Sequence, residues 1–158
     1  MAMEIIWRTK LPPKVICFRW ITLRDSCLTQ NNLIRRKFQI VNKCYMCLCN
    51  LESINHLFLH CTVATGPWNM YFSLFGLTWV MPRSLREAFV CWSSWKVGKS
   101  IKQIWSLVPA YIFWCLWMER HKRCFDGTPT PISTFKARWL ITLFGWVNLS
   151  PELVSILS

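Results

Sequence analysis

Apolar positions along the chain recur mostly at helical spacing and rarely alternate, so the pattern reads as a series of helices. Pro12 and Pro13 precede a run in which Val15, Ile16, Phe18, Trp20, Ile21 and Leu23 cover more than one stripe. That predicts a central helix whose first turn tolerates proline. Thr29 is an N-cap residue type, and Leu28 and Leu33 occupy the N′ and N4 positions of a hydrophobic staple, predicting a short helix over 30–37. Phe38, Ile40 and Asn42 alternate with their neighbours in a short extended approach to Cys44.

Mixed helical spacing resumes over 67–79, and Met81, Pro82, Arg83 and Ser84 read as a break with a new N-cap. Leu85, Ala88, Phe89 and Trp92 then follow the i, i+3, i+4, i+7 pattern of an amphipathic helix. A loop over 93–98 leads into a helix over about 99–124, with Pro109 expected to kink or interrupt it. Asp126, Gly127, Thr128 and Pro129 carry turn chemistry, and Thr130 and Pro131 open a final helix with Phe135, Trp139, Leu143 and Trp146 facing inward. There is no internal repeat and no βαβ alternation, so the class is mainly α.

Composition narrows the function classes. The 158 residues are 53% hydrophobic with 11 Trp, which excludes a disordered or low-complexity chain. Nineteen Lys and Arg against seven Asp and Glu give a net charge of +12, pointing to a polyanionic partner. The charge is split: residues 1–43 carry +7, residues 44–82 carry only Glu52, and residues 83–158 carry +6. No two of the seven carboxylates lie closer in sequence than seven positions, which argues against a nuclease or polymerase that clamps two metal ions. Phosphate-loop, nucleophile-elbow and H-E-x-x-H motifs are missing, and five glycines leave little for a phosphate cradle. The most apolar run, residues 104–118, is 15 residues long and reads as a buried helix, since a membrane span takes about 20.

The block without Lys or Arg holds the informative chemistry. Cys44 and Cys47 form C-x2-C; after eight intervening residues His56 and Cys61 form H-x4-C. Two Cys at this spacing make a tight knuckle for one face of a tetrahedral Zn2+, and a second close pair closes the other face. Four soft donors with no open position make a structural site. Cys44, Cys47, His56 and Cys61 are the favoured set, because H-x4-C matches the second half of retroviral-type zinc knuckles and a further thiolate binds Zn2+ strongly. His60, four residues after His56 and so on the same face of an α-helix, is the alternative fourth ligand. Cys49 sits too close to Cys47. Cys17, Cys27, Cys91, Cys115 and Cys124 fall singly in apolar contexts and read as small core residues. His121 lies in a basic run that reads as solvated, which leaves no partner for thiol catalysis.

These residues resemble the zinc-binding domain found C-terminal to the reverse transcriptase in plant non-LTR (LINE-type) retrotransposons. The resemblance rests on Ile6, Trp7, Leu11 to Val15, Phe18, Trp20, Leu28, Thr29, Asn32 to Arg36, Cys44, Cys47, Glu52, Ser53 and His56 to Cys61. It continues more loosely through Pro67 and Trp68, Trp79 to Pro82, and the Phe113 to Phe125 stretch. Many relatives have Gly after Arg36; Lys37 stands here, and it is expected to remove a left-handed helix stop.

The resemblance implies a zinc-binding domain over 1–82, built as a small zinc-knuckle region packed among short helices, and a helical C-terminal region over 83–158 packing on or beside it. It further implies a non-catalytic accessory module of a reverse transcriptase that binds RNA or single-stranded DNA, with Arg35, Arg36, Lys37 and Lys43 contacting phosphates. The reverse transcriptase core is a further expected partner. The alternative is a structural or protein-interaction fragment, or a decayed transposon remnant. The N-terminal residues show no secretory signal, so the expected setting is an intracellular reducing compartment, the nucleus included.

Overall fold

The helical periodicity resolves, in a computed structural model that describes residues 13–147 apart from 75 and 97, into six α-helices and one π-helical turn. They are α1 (Pro13–Leu23), α2 (Gln30–Arg35), the π-turn (His56–His60), α3 (Thr62–Leu74), α4 (Leu85–Ser94), α5 (Lys99–Phe125) and α6 (Ile132–Val147). No strand occurs among the described residues. Ile6, Trp7, Leu11 and Pro12, and the side chains of Leu143 and Trp146, lie outside what is described.

Helix α5 is the spine. From Leu107 to Phe113 every position is buried, Pro109 included, and the apolar and aromatic side chains of this stretch belong to one core. A helix that is apolar all round must be covered on all sides, and α1, the π-turn, α3, α4 and α6 all pack against it. Most of the 15-residue apolar run is therefore core, with Met118 exposed near its end, and no helix among the described residues is long and apolar enough to cross a membrane.

Pro109 lies inside α5 without ending it. Proline has no N–H for the carbonyl four residues earlier, which here belongs to Trp105. The indole Nε1 of Trp92 on α4 donates to that carbonyl at 2.6 Å, and the Trp105 indole donates back to Trp92 O at 2.9 Å. The two rings stack at 4.0 Å and 9°. A tertiary bond thus takes over the acceptor that the proline frees, which is why the expected interruption does not occur.

The caps follow local chemistry. The Thr29 side chain accepts from Asn32 N, and that of Ser84 from Glu87 N. Helix α2 closes two residues earlier than its pattern predicts: Phe38 N donates to Leu33 O and Lys37 N to Ile34 O, with Lys37 at φ +68°. These bonds form a Schellman cap. The left-handed stop survives the loss of glycine because Lys37 itself takes up the left-handed conformation, at a cost in backbone strain.

Within α1, Arg19 is buried, while Trp20 and Ile21 are exposed. The Arg19 guanidinium lies 4.5 Å from the Phe89 ring centroid on α4. At the other end, Glu119 accepts from Thr130 N, Thr130 Oγ1 and Arg123 Nε, tying α5 to the start of α6. Burial pushes the Glu119 carboxyl up, but those donors outweigh it and hold it below its usual range.

Trp92→Phe keeps a stacked ring but removes the indole donor to the Trp105 carbonyl. Removing one partner of a buried hydrogen bond costs about 1–3 kcal/mol, so urea denaturation should show a loss of that size. An unchanged midpoint would remove this bond from the account of α5.

Candidate metal centre

Cys44 and Cys47 sit on a loop that folds back on itself. Leu48 N donates to Cys44 O at 2.9 Å and Cys44 N to Asn50 O at 2.8 Å. The return requires φ +60° at Leu48, a left-handed conformation that a bulky side chain rarely adopts. The Met46 N–H points at Cys44 Sγ, 3.4 Å away, so the loop directs an amide donor at a sulfur.

Local winding positions the second pair. In an α-helix, residues five apart are rotated by about 140° from one another, which would separate His56 from Cys61. Here the segment winds as a π-turn, and Cys61 N donates to His56 O at 2.7 Å, so the two residues close one wide turn. Phe58 O accepts from the buried Trp68 indole at 2.7 Å. Cys61 immediately precedes α3, and the Val63 and Ala64 N–H groups of the first turn favour its thiolate.

The four ligand atoms of Cys44, Cys47, His56 and Cys61 all lie within 4.8 Å of one another. Cys44 Sγ to Cys61 Sγ is 4.0 Å, and Cys47 Sγ to His56 Nε2 is 3.3 Å. Tetrahedral zinc with bonds of about 2.3 Å to sulfur and 2.0 Å to nitrogen separates its ligands by roughly 3.5–3.8 Å. The two measured distances bracket that range, and three sulfurs with one imidazole are a zinc donor set, so the residues present fit the ion.

The hydrogen bond with Cys44 lowers the Cys61 thiol pKa against the opposing effect of burial. The same bond, then burial, raises that of Cys44. Burial first, then His60, lowers the His56 pKa, which favours the neutral imidazole a metal requires.

The remaining candidates fall elsewhere. His60 Nε2 lies 2.8 Å from Pro82 O, outside the cluster. The π-winding separates it from the face it would share with His56 in an α-helix. Cys49 is exposed, its sulfur bonded to Cys47 O. Cys27 and Cys115 are core residues as expected, but Cys17 and Cys91 are exposed and Cys124 is half-buried. His121 is half-buried between the rings of Trp117 and Phe125, where a solvated position was expected. Arg35, Arg36, Lys37 and Lys43 are all exposed along the end of α2 and the segment leading to Cys44. Arg35 makes a surface ion pair with Asp25 at 3.4 Å.

Three further residues hold the knuckle in place. Glu52 is fully buried, its Oε1 accepting from Gln30 N at 3.1 Å and from Arg120 Nε and Nη2 at 3.1 and 2.8 Å. Its Oε2 accepts from Tyr45 N at 3.0 Å, inside the C-x2-C loop. Arg123 Nη1 donates to Met46 O at 2.6 Å in the same loop. Arg120 and Arg123 come from α5, 68 and 77 residues distant in sequence from their partners. The one available signal was that Glu52 is the sole charged residue of the 44–82 block.

Removing one partner of a buried ion pair costs about 3–5 kcal/mol. Glu52→Gln and Arg120→Met should each lose stability of that order in denaturant titration. A loss under about 1 kcal/mol, the scale of surface pairs, would show that the pair does not hold the loop.

Comparison with known proteins agrees with this geometry. Residues 1–68 match the family described as zinc-binding in reverse transcriptase. The chain is also similar to the Arabidopsis thaliana protein named "Putative ribonuclease H protein", with 24% identity over 123 residues. The match covers 73% of this chain and 18% of that protein, so the chain spans under a fifth of its relative's length. No solved structure matches. Residues 1–68 are thus similar to the zinc-binding domain of reverse transcriptases, and the Cys44, Cys47, His56, Cys61 cluster lies within the matched stretch.

Proposed function

We propose that Cys44, Cys47, His56 and Cys61 hold one structural Zn2+, and that the chain is a nucleic-acid-binding accessory module of a retroelement reverse transcriptase without catalysis of its own. The observation that carries this reading is the closed four-donor cluster directly beside an exposed basic segment. Zinc bound there supplies rigidity: it joins the knuckle to the turn that leads into α3. Around it the chain does the rest. The N–H groups of Met46, Val63 and Ala64 stabilise thiolate charge, while Arg120 and Arg123 fix the loop from behind.

Lys43 directly precedes Cys44, and Arg35, Arg36 and Lys37 close α2, so a rigid knuckle fixes one end of a basic stretch of surface. Phosphates are the matching partner, as RNA or single-stranded DNA. A lack of catalysis is supported by the acidic residues, since Glu52 and Glu119 are buried and committed to arginine. Residues 83–158 act as support for 1–82 through α5. Nine free thiols suit a reducing compartment, the nucleus included. A second reading, docking onto the reverse transcriptase core, is favoured by exposed Phe38, Val41 and Leu51 around the knuckle.

Zinc should be present at one equivalent. Structural zinc contributes about 10–16 kcal/mol of apparent binding energy, so chelation should unfold the domain by circular dichroism. Cys61→Ser should lose the metal, whereas His60→Ala should keep it; the reverse pattern would reassign the fourth ligand.

Binding to a single strand should weaken as salt rises, with a log–log slope of about −0.7 per phosphate neutralised. The triple variant Arg36→Gln, Lys37→Gln, Lys43→Gln should reduce that slope by about 2. Affinity insensitive to salt would instead favour the docking reading.

A further inference from the structure

Between α1, the start and end of α2, and α5 runs an open groove of about 340 Å³. Phe18 and Ile21 form its α1 wall, Leu28 its outer lip, and Trp117 its α5 wall. The one charged lining residue is Arg36, with no carboxylate beside it. Among the described residues Arg36 forms no ion pair, in contrast to its neighbour Arg35. Leu28 is 45% exposed, so a large apolar side chain faces water at the rim.

The aromatic wall extends along α5. Trp117 meets Phe18 at 5.5 Å and His121 at 4.7 Å, and His121 meets Phe125 at 5.6 Å. These three positions recur at i, i+4 and i+8, so the rings form a row on one face of the helix. The outermost ring, Phe125, is 76% exposed. Burial lowers the His121 pKa, which keeps its ring neutral within the row.

An apolar slot with aromatic walls, one unpaired guanidinium at its rim and a chain charge of +12 matches a flat aromatic group joined to an anion. A nucleotide of a single strand is that combination: its base has a π-face and its phosphate a charge. A duplex hides its base faces in the stack and offers only phosphates. A peptide would need an aromatic residue next to an acidic one, and the only other polar side chains of the lining are Ser26 and the Cys27 thiol.

We propose that this groove seats an unpaired base of a single-stranded nucleic acid against Trp117, with Arg36 on the adjoining phosphate and Phe125 as a second stacking ring. The proposal deepens the nucleic-acid reading above and rests on it. RNA and DNA share the chemistry used here, and the test separates them.

The test uses the full zinc-loaded chain and short oligonucleotides carrying 2-aminopurine, as single-stranded RNA, single-stranded DNA and duplex. Stacking quenches 2-aminopurine, so quenching is expected with one or both single strands and not with the duplex. Leu28→Asp, which places a carboxylate on the lip, and Phe125→Ala should each weaken single-strand binding about tenfold, the scale of one lost stacking contact. Both alter exposed side chains, and zinc content and circular dichroism verify their folding. Arg36→Gln should reduce the salt slope by about 0.7.

Wild-type protein that binds none of the three probes overturns the nucleic-acid reading and this proposal with it. Salt-sensitive binding without quenching, unchanged by Leu28→Asp and Phe125→Ala, overturns the groove alone and leaves phosphate binding by the basic segment standing. Equal quenching by the duplex overturns the single-strand specificity.

Discussion

The buried carboxylate of Glu52 joins three stretches of backbone that share no secondary structure. One oxygen caps the first N–H of α2 and receives the Arg120 guanidinium; the other fixes Tyr45 in the C-x2-C loop. Its own backbone is engaged as well, with Glu52 N bonded to Asn42 Oδ1 and Glu52 O accepting from Asn31 N. Burying a carboxylate is costly unless nearly every lone pair finds a donor. Here the donors come from α2, the knuckle and α5, so satisfying that one charge fixes their relative positions. Arg120 is held in turn between the rings of Tyr45 and Trp117, each about 5.0 Å from the guanidinium carbon.

That arrangement makes the two ends of the chain interdependent. The residues that match the reverse-transcriptase zinc-binding family end at 68, yet the knuckle is supported from 120 and 123. Helix α5 can reach it because it is buried along most of its length and packs against α1, α3, α4 and the π-turn. The Trp92–Trp105 clasp allows it to remain one helix through Pro109. The aromatic richness of the chain thus has a division of labour. Trp68, Trp92 and Trp105 are core residues whose indole N–H groups satisfy or exchange buried carbonyls, whereas Trp117, His121 and Phe125 lead outward.

Left-handed backbone without glycine occurs at Asp25, Lys37 and Leu48. The π-turn gives up regular α-helical bonding. Three of these departures serve placement: Leu48 returns the knuckle loop, Lys37 ends α2 before the basic segment, and the π-turn brings Cys61 alongside His56. Such local costs persist only where surrounding structure over-determines them. The Glu52 network and the α5 arginines supply that constraint on the protein side.

The sequence by itself determined much of this. Helical periodicity located most of the elements, although α3 runs over Thr62–Leu74 and not 67–79; Thr29 and Ser84 marked caps, and the C-x2-C and H-x4-C spacings picked out the four residues whose donor atoms converge. These signals are local, carried by residues within a few positions of one another, which is why they survive without a structure. Tertiary structure alone decided whether His60 or Cys61 faces the other donors, because that turns on π rather than α winding, stabilised by distant partners such as Trp68. It also decided that Pro109 would not break α5 and that His121 would lie in a row of rings. The support from Arg120 and Arg123 depends on contacts across about seventy residues, and no local pattern encodes where such a side chain will arrive.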